Sequence, residues 1–345
     1  MEIVPVKRTR SQTAFVEVDM TPSTRAVLDL SPTRKGNLVA ADSYQPLDSQ
    51  LVILFWRTWT DILRHPALLK LHLVVSILVG AATALIFQNV PNDLAGIQNR
   101  AGCIFFTLTF FAFGSLTSID LFISERAVFT RETQGGYYRV GTYFFAKAVL
   151  DGLLLRVLPA VLYSVIMYWA IGLRNTPSHV CVFFATLALF NLAAGALSMV
   201  IATVSPTAGF ASLATIVALL VGLLFGGFLA NADALPPWLS WMQYCSIFFY
   251  GFEVLFTNEI SGLVVNFDAA GLNVNVKGDL FLDTFNFSPD DLSRDIIALF
   301  AIYVCLLILA YLLLAWKANK SDINVQSNEN TEKKGFFSRL AFWKK

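Results

Sequence analysis

Arg156 stands inside an apolar run, between Leu153-Leu154-Leu155 and Val157-Leu158-Pro159. An ionisable group in such a setting is costly and faces a cavity or a partner. Lys147 and Asp151 precede it at i,i+4 spacing, on one helical face where they can pair. Asp120 sits near the end of the preceding apolar run. Asp120, Lys147 and Asp151 therefore admit two roles: an electrostatic relay linking a polar loop to an apolar interior, or a pair that holds two helices together. Catalytic chemistry has less to work with. His65, His72 and His179 are scattered, and Pro66 separates the first two. No Ser-His-acid set or paired carboxylates occur within the apolar runs. Gly135-Gly136 and Gly226-Gly227 have no following Lys-Ser/Thr, so the G-x-x-x-x-G-K-[ST] phosphate loop is missing. Cys103, Cys181, Cys245 and Cys305 form no C-x-x-C pair and read as small hydrophobes rather than metal ligands or disulfides.

The elements that hold these residues are membrane helices. The 345 residues are 56% hydrophobic and 14% charged, with a mean hydropathy of +0.62. A soluble domain is nearer ~25% charged. The net charge of +1 argues against nucleic acid, which would require a basic face. Apolar runs of the length demanded by a hydrocarbon core of ~30 Å fall at Leu69–Phe87, Ala101–Ile123, Phe144–Ile171, Val180–Val204, Phe210–Leu229 and Ile296–Trp316. The expected fold is all-α integral membrane with six transmembrane helices.

Between the spans, composition assigns sides. Ser124–Tyr143 carries Arg126, Arg131 and Arg139, whereas Ala230–Asp295 is acidic. The positive-inside rule puts the first loop and both termini in the cytoplasm and the second outside. Met1–Ser49 reads as a disordered cytoplasmic tail rich in Ser, Thr, Pro and charge. It has no apolar segment of the kind a cleavable signal requires. Over Gln50–His65, Leu51, Phe55, Trp59, Ile62 and Leu63 recur at helical spacing, opposite Gln50, Arg57, Asp61 and Arg64. That is an amphipathic elbow helix too short and charged to span. In the outer loop, Pro236-Pro237 and the aromatic stretch to Phe256 suit a re-entrant helix pair, and Val264–Asp291 a small cap with short strands or turns. Asn286-Phe287-Ser288 is a glycosylation sequon whose use Pro289 weakens. Residues 317–345 form a basic cytoplasmic tail in which aromatics and cations alternate, a composition that favours an anionic leaflet. Gly222 and Gly226 carry G-x-x-x-G spacing, which allows close helix approach. With bulky Phe228-Leu229 directly after, it suits a closing seam.

Four segments in order, FISERAVFTRETQGGYYRVGTYFFAK, LLRVLP, LFGGFLAN and LPPWLSWMQYCSIFFYGFEVL, resemble the membrane domain of ABCG-type (white subfamily) ABC transporters. The resemblance covers about Gln50–Trp316. It implies a coupling helix over Glu125–Gly135, with Glu125, Arg126, Arg131 and Glu132 and with Tyr137-Tyr138 beyond, resting on a nucleotide-binding domain. It implies a two-fold cavity lined by Thr109, Phe110, Phe113, Leu219, Leu220 and Leu223, an outer plug at Phe228-Leu229, and a role for Arg156 in substrate choice. Two departures stand out. The family carries an ATP-binding domain ahead of the membrane domain, where this sequence has Met1–Ser49. The outer-loop cysteines of its multidrug members have no counterpart between Ser246 and Ala301.

The expectation is an exporter subunit in the plasma membrane, working by alternating access as a homodimer or heterodimer with another ABCG-type half. ATP and Mg would sit on a nucleotide-binding domain supplied in trans or lost by truncation. The chain itself would bind no cofactor or metal; its other partners would be membrane lipid and a lipophilic or sterol-like substrate. The alternative is a truncated, non-transporting half that dimerises with full-length relatives and modulates them.

Overall fold

The computed structural model describes residues 46–64, 66–135, 137–229, 236–269, 272–285 and 287–342, with backbone only for 266–269, 272–275 and 320–342. Most of the tail expected to be disordered lies outside these residues, as do His65, Gly136 and Asn286.

The chain is an all-α membrane domain. Helix α1 (Leu47–Arg64) begins three residues before the expected start at Gln50. Of its polar residues only Gln50 turns inward, while Arg57, Asp61 and Arg64 stay exposed. Gln50 and Leu54 are buried, and Gln50 Oε1 accepts from the Arg139 amide at 3.3 Å. Val52, Ile53, Trp56 and Leu63 remain exposed, as expected of a helix whose apolar face meets lipid. After Pro66 comes α2 (Ala67–Ile86), then α3 (Leu94–Gly114) and α4 (Thr117–Gln134). Helix α3 starts seven residues before the expected Ala101. The Asp93 carboxylate caps it by accepting from the Gly96 amide at 2.6 Å. Gln98, Asn99 and Arg100 dilute its first turns and hide that start from a hydropathy reading. The helix expected over 125–135 is the second half of α4, which follows α3 after a break at Ser115-Leu116.

The third span is α5 (Val140–Asp151), a π-helical segment (Gly152–Val157) and α6 (Leu158–Ile171). Pro159 supplies a reason for the wide turn. It has no N–H, and its ring clashes with the carbonyl four residues back in a regular helix. Helix α7 (Pro177–Val204) is central and packs on α3, α4, α6 and the π-helical segment. It also packs on α8 (Ala208–Leu224), α9 (Ile247–Ile260) and α11 (Leu292–Phe342). Between α9 and α11 lie β1 (Val264–Ala269) and β2 (Leu272–Lys277), an antiparallel pair with Asn266 opposite Asn275, and α10 (Asp279–Thr284).

Among the described residues five helices are long and apolar enough to cross a membrane: Ala67–Ile86, Leu94–Gln134, Val140–Ile171, Pro177–Val204 and Pro289–Asn319. The fifth expected span, Phe210–Leu229, corresponds to α8, which stops at Leu224 after 17 residues. At 1.5 Å per residue that is about 25 Å. Gly227, at φ +82°, turns the chain away from the helix. Gly222 and Gly226 pack within the chain: a Cβ on Gly226 would lie 3.0 Å from that of Phe248. Every residue of α9 is buried, including Glu253, Asn258 and Glu259. Of the four cysteines, Cys103 is in the core and the other three are exposed.

Candidate functional site

Arg156 lies in the π-helical segment, and its guanidinium reaches the break between α3 and α4. It donates to the Gly114 carbonyl at 3.2 Å, to the Ser115 carbonyl at 3.1 Å and to the Ser118 hydroxyl. A helix end leaves carbonyls without partners, and Arg156 supplies donors to them from the neighbouring span. Its own carbonyl accepts from Asn191 Nδ2 on α7 at 2.9 Å. Arg156 is buried, and these contacts hold three helices at one level.

Lys147 is also buried and lies between two carboxylates, Glu125 on α4 at 2.6 Å and Asp151 one turn along at 3.1 Å. The Tyr143 hydroxyl donates to Glu125 at 3.1 Å. The Tyr143 ring stacks on Tyr138, with centroids 5.6 Å apart and planes at 12°. The Tyr138 hydroxyl donates to Glu132 at 2.8 Å, and Glu132 pairs with Arg57 of α1 at 2.8 Å. The hydrogen bond to Glu132 holds the Arg57 guanidinium above its ordinary pKa, and burial pushes the Tyr138 phenol up. Arg126 donates to the Ser205 and Pro206 carbonyls at 2.7 and 3.0 Å, tying α4 to the turn between α7 and α8. Glu125, Glu132, Tyr138, Tyr143, Lys147, Asp151 and Arg57 thus form one connected set around α4, with Arg126 bonded separately to the turn before α8. Arg131 and Tyr137 are exposed, and Asp120 is exposed outside this set.

The residues expected at a transport cavity sit along α3 and α8. Phe110, Phe113 and Leu223 are partly buried against the main hydrophobic core, and Leu219 is buried within it. Phe110 stacks on Tyr163 at 5.8 Å. Thr109 donates to the Phe105 carbonyl at 2.8 Å. Leu220 is exposed, in line with Phe210, Leu213, Val217 and Leu224 on the same uncovered stripe of α8. Phe228 packs on Phe105 and Phe252, at 4.6 and 5.4 Å, beyond the end of α8, while Leu229 is exposed.

Several polar contacts escaped the sequence reading. Arg100 and Glu259 approach to 3.5 Å, both buried, and Glu259 also accepts from the Arg174 amide at 3.1 Å. Burial pushes the Glu259 carboxyl up to about 7. His72 bonds Thr117 and His179 bonds Asn258, each at 2.9 Å, so both act as packing groups. Arg100 carried a signal, a cation seven residues after a helix-capping aspartate. His72 carried none, because its partner is 45 residues away.

Comparison with known proteins places this geometry. The family profile described as ABC-2 type transporter matches residues 49–260. The chain is 36% identical over 268 residues to ABC transporter G family member 24 of Dictyostelium discoideum, covering 77% of this chain and 23% of that protein. It is 34% identical over 274 residues to the broad substrate specificity ATP-binding cassette transporter ABCG2 of Bos taurus, covering 76% and 41%. It is 33% identical over 288 residues to protein white of Drosophila melanogaster, covering 79% and 40%. The chain therefore spans less than half the length of these relatives. The match across α1 to α9 and the helical membrane architecture agree, and the chain belongs to the ABC-2 type transporter family as a membrane domain of the ABCG kind.

Proposed function

We propose that this chain is the membrane subunit of an ATP-driven exporter of lipophilic compounds, with six spans, cytoplasmic termini and a second ABCG-type half as partner. The observation that supports it best is the mounting of α4. It is continuous in direction of chain with α3 and is fixed by Glu132 to α1, by Glu125 to α5 and by Arg126 to the turn before α8. A displacement of α4 by a nucleotide-binding domain would move the cavity helices α3 and α8 together. In this reading Arg131 and Tyr137, which are exposed, meet that domain. The uncovered stripe of α8 faces the partner half. Phe113, with Thr109, Phe110, Leu219, Leu220 and Leu223, lines a cavity whose aromatic and aliphatic walls suit flat lipophiles. Phe228 and Leu229 close its outer end. ATP and Mg would be held by a nucleotide-binding domain outside these residues, and the plasma membrane is the proposed site. The broad substrate specificity in the name of the bovine relative is compatible with such a wall.

The test is co-reconstitution in proteoliposomes with an ABCG-type half that carries an ATP site, reading ATP-dependent export of a lipophilic dye. Transport that Phe113→Ala weakens and Arg131→Glu abolishes, with assembly unchanged, is expected. A complex that assembles but exports nothing at any dye tested would replace the reading with that of a modulating, non-transporting half.

A further inference from the structure

Glu253 on α9 and Asp295 in the first turn of α11 are buried, with 3% and 0% of their surface exposed. Their carboxyl groups lie within hydrogen-bond reach of each other. Each keeps one buried oxygen, Glu253 Oε2 and Asp295 Oδ2, that no donor among the described residues reaches. The second Asp295 oxygen is taken: Arg294 Nε and Nη2 donate to Oδ1 at 3.3 and 3.2 Å. Arg294 also pairs with Asp291 at 3.0 Å, and these two side chains reach solvent. Tyr250, one turn before Glu253 on α9, lies within range of the same charges. Arg100, Arg174 and His179 also meet α9, but at Glu259 and Asn258 near its end.

Two carboxylates in contact at a buried position do not both ionise. Fully ionised, Glu253, Asp291 and Asp295 would face Arg294 alone. A carboxylate only accepts, whereas a protonated carboxyl has one O–H to donate. A single proton therefore satisfies both orphaned oxygens: Glu253 Oε2 donates and Asp295 Oδ2 accepts. Neither oxygen has surface open to solvent, so an organic ligand or hydrated cation cannot touch them, while a proton occupies the bond itself. We infer that Glu253 and Asp295 form a proton-binding pair that latches the first turn of α11 to α9. The bound proton joins the two helices. Its release to water, past the solvent-reaching Asp291 and Arg294, leaves two carboxylates in contact and drives that turn away. The inference does not rest on the transport reading, because it concerns only α9 and α11.

The experiment uses the full chain in phosphatidylcholine nanodiscs. Infrared difference spectra across about pH 8, the value to which the Glu253 carboxyl is pushed, read the carbonyl stretch of a protonated carboxyl. The band should be present on the acid side, vanish on the alkaline side and be missing from Glu253→Gln. Asp295→Asn removes the neighbouring charge and should move the loss of the band to lower pH. Hydrogen exchange of the peptide that opens α11, corrected for the intrinsic rate, reads the latch. Once that turn opens, Glu253 meets water and ionises near pH ~4.3. One proton lost per opening makes protection fall about tenfold per pH unit up to about pH 8 and level off beyond it. Glu253→Gln, whose amide donates without ionising, should hold the turn protected throughout. The absence of a protonated-carboxyl band in the parent chain would overturn the inference, as would parental protection that does not change with pH; neither reading depends on a variant folding. A band that persists in Glu253→Gln, or an unchanged midpoint in Asp295→Asn, would overturn it too.

Discussion

Glu132 accepts two hydrogen bonds of 2.8 Å, one from Arg57 on α1 and one from Tyr138 six residues on. The carboxylate expected to face a nucleotide-binding domain is therefore engaged within its own chain. Its partner lies 75 residues away, on the helix that precedes the first span. The pair ties α1 to α4.

Glu132→Arg should consequently act through Arg57 before it acts through any other protein. The Arg57 side chain is 44% exposed, so solvent screens the pair and its worth is about 0.5–1 kcal/mol. Glu132→Arg and Arg57→Glu should each lower thermal stability slightly, and the double exchange should recover most of the loss. A double-mutant cycle measures the coupling directly. Strict additivity of the two substitutions would show that α1 and α4 are not joined here.

Lys147 is a different case, because it is buried between two carboxylates. Removing one member of a buried charged set costs about 3–5 kcal/mol, since the others lose their compensation. Lys147→Met should destabilise the chain severely in detergent, and Lys147→Met with Asp151→Leu should be milder than Lys147→Met alone. Melting temperatures of the purified variants check the order. A single variant as stable as the parent would mean that the carboxylates find other partners, and the set would not be what holds α4 to α5.

Length and hydropathy were enough to recognise five helices that can cross a membrane, and i,i+4 spacing was enough to pair Lys147 with Asp151. The four motifs carried the family. What the sequence could not give was contact between distant segments. Nothing about Arg57 points to Glu132, and nothing about Arg156 says that it serves the carbonyls of a helix break 41 residues earlier. The break itself, at Ser115-Leu116, has neither Pro nor Gly within it. The π-helical turn had a local cause in Pro159, but proline marks the site of a distortion rather than its form. Gly222 of α8 and Gly226 just beyond its end show the opposite limit: G-x-x-x-G suggested close approach of two helices, and the fold sets both glycines against the Phe248 side chain of the same chain.

Glu253 gives a pH dependence. It is buried on α9, and Asp291, Arg294 and Asp295 act on it from the segment that opens the last helix. Burial first, then the Asp295 charge, pushes its carboxyl up to about 8. In the unfolded chain a glutamate ionises near pH ~4.3. The folded chain therefore holds the extra proton between these values. The contribution is complete below the lower one and is lost as pH rises through the upper one. Thermal stability should fall between about pH 4 and about pH 8. Glu253→Gln, which mimics the protonated form, should flatten that fall. An equally steep fall in Glu253→Gln would assign the effect to another group.

The count of spans turns on α8, whose 17 residues are the shortest of the six candidates. A helix of about 25 Å crosses a ~30 Å core only if the bilayer thins or the flanking residues fill the difference. Here Phe225–Leu229 continue from its end as turns of apolar residues. If α8 crosses, the acidic segment before α11 lies opposite the Ser124–Tyr143 segment with Arg126, Arg131 and Arg139, as the charge bias demands. If it does not, that segment stays on the α4 side and the chain crosses five times. Labelling decides between them. Cys181, Cys245 and Cys305 are exposed and must first be replaced by alanine, whereas Cys103 is buried. In that background, Asp283→Cys in α10 should react with a membrane-impermeant maleimide added to intact cells. Ala127→Cys, exposed on α4, should react only after permeabilisation. Reaction of both from the same side would leave α8 as a helix that enters the membrane without crossing it, and the six-span architecture would have to be abandoned.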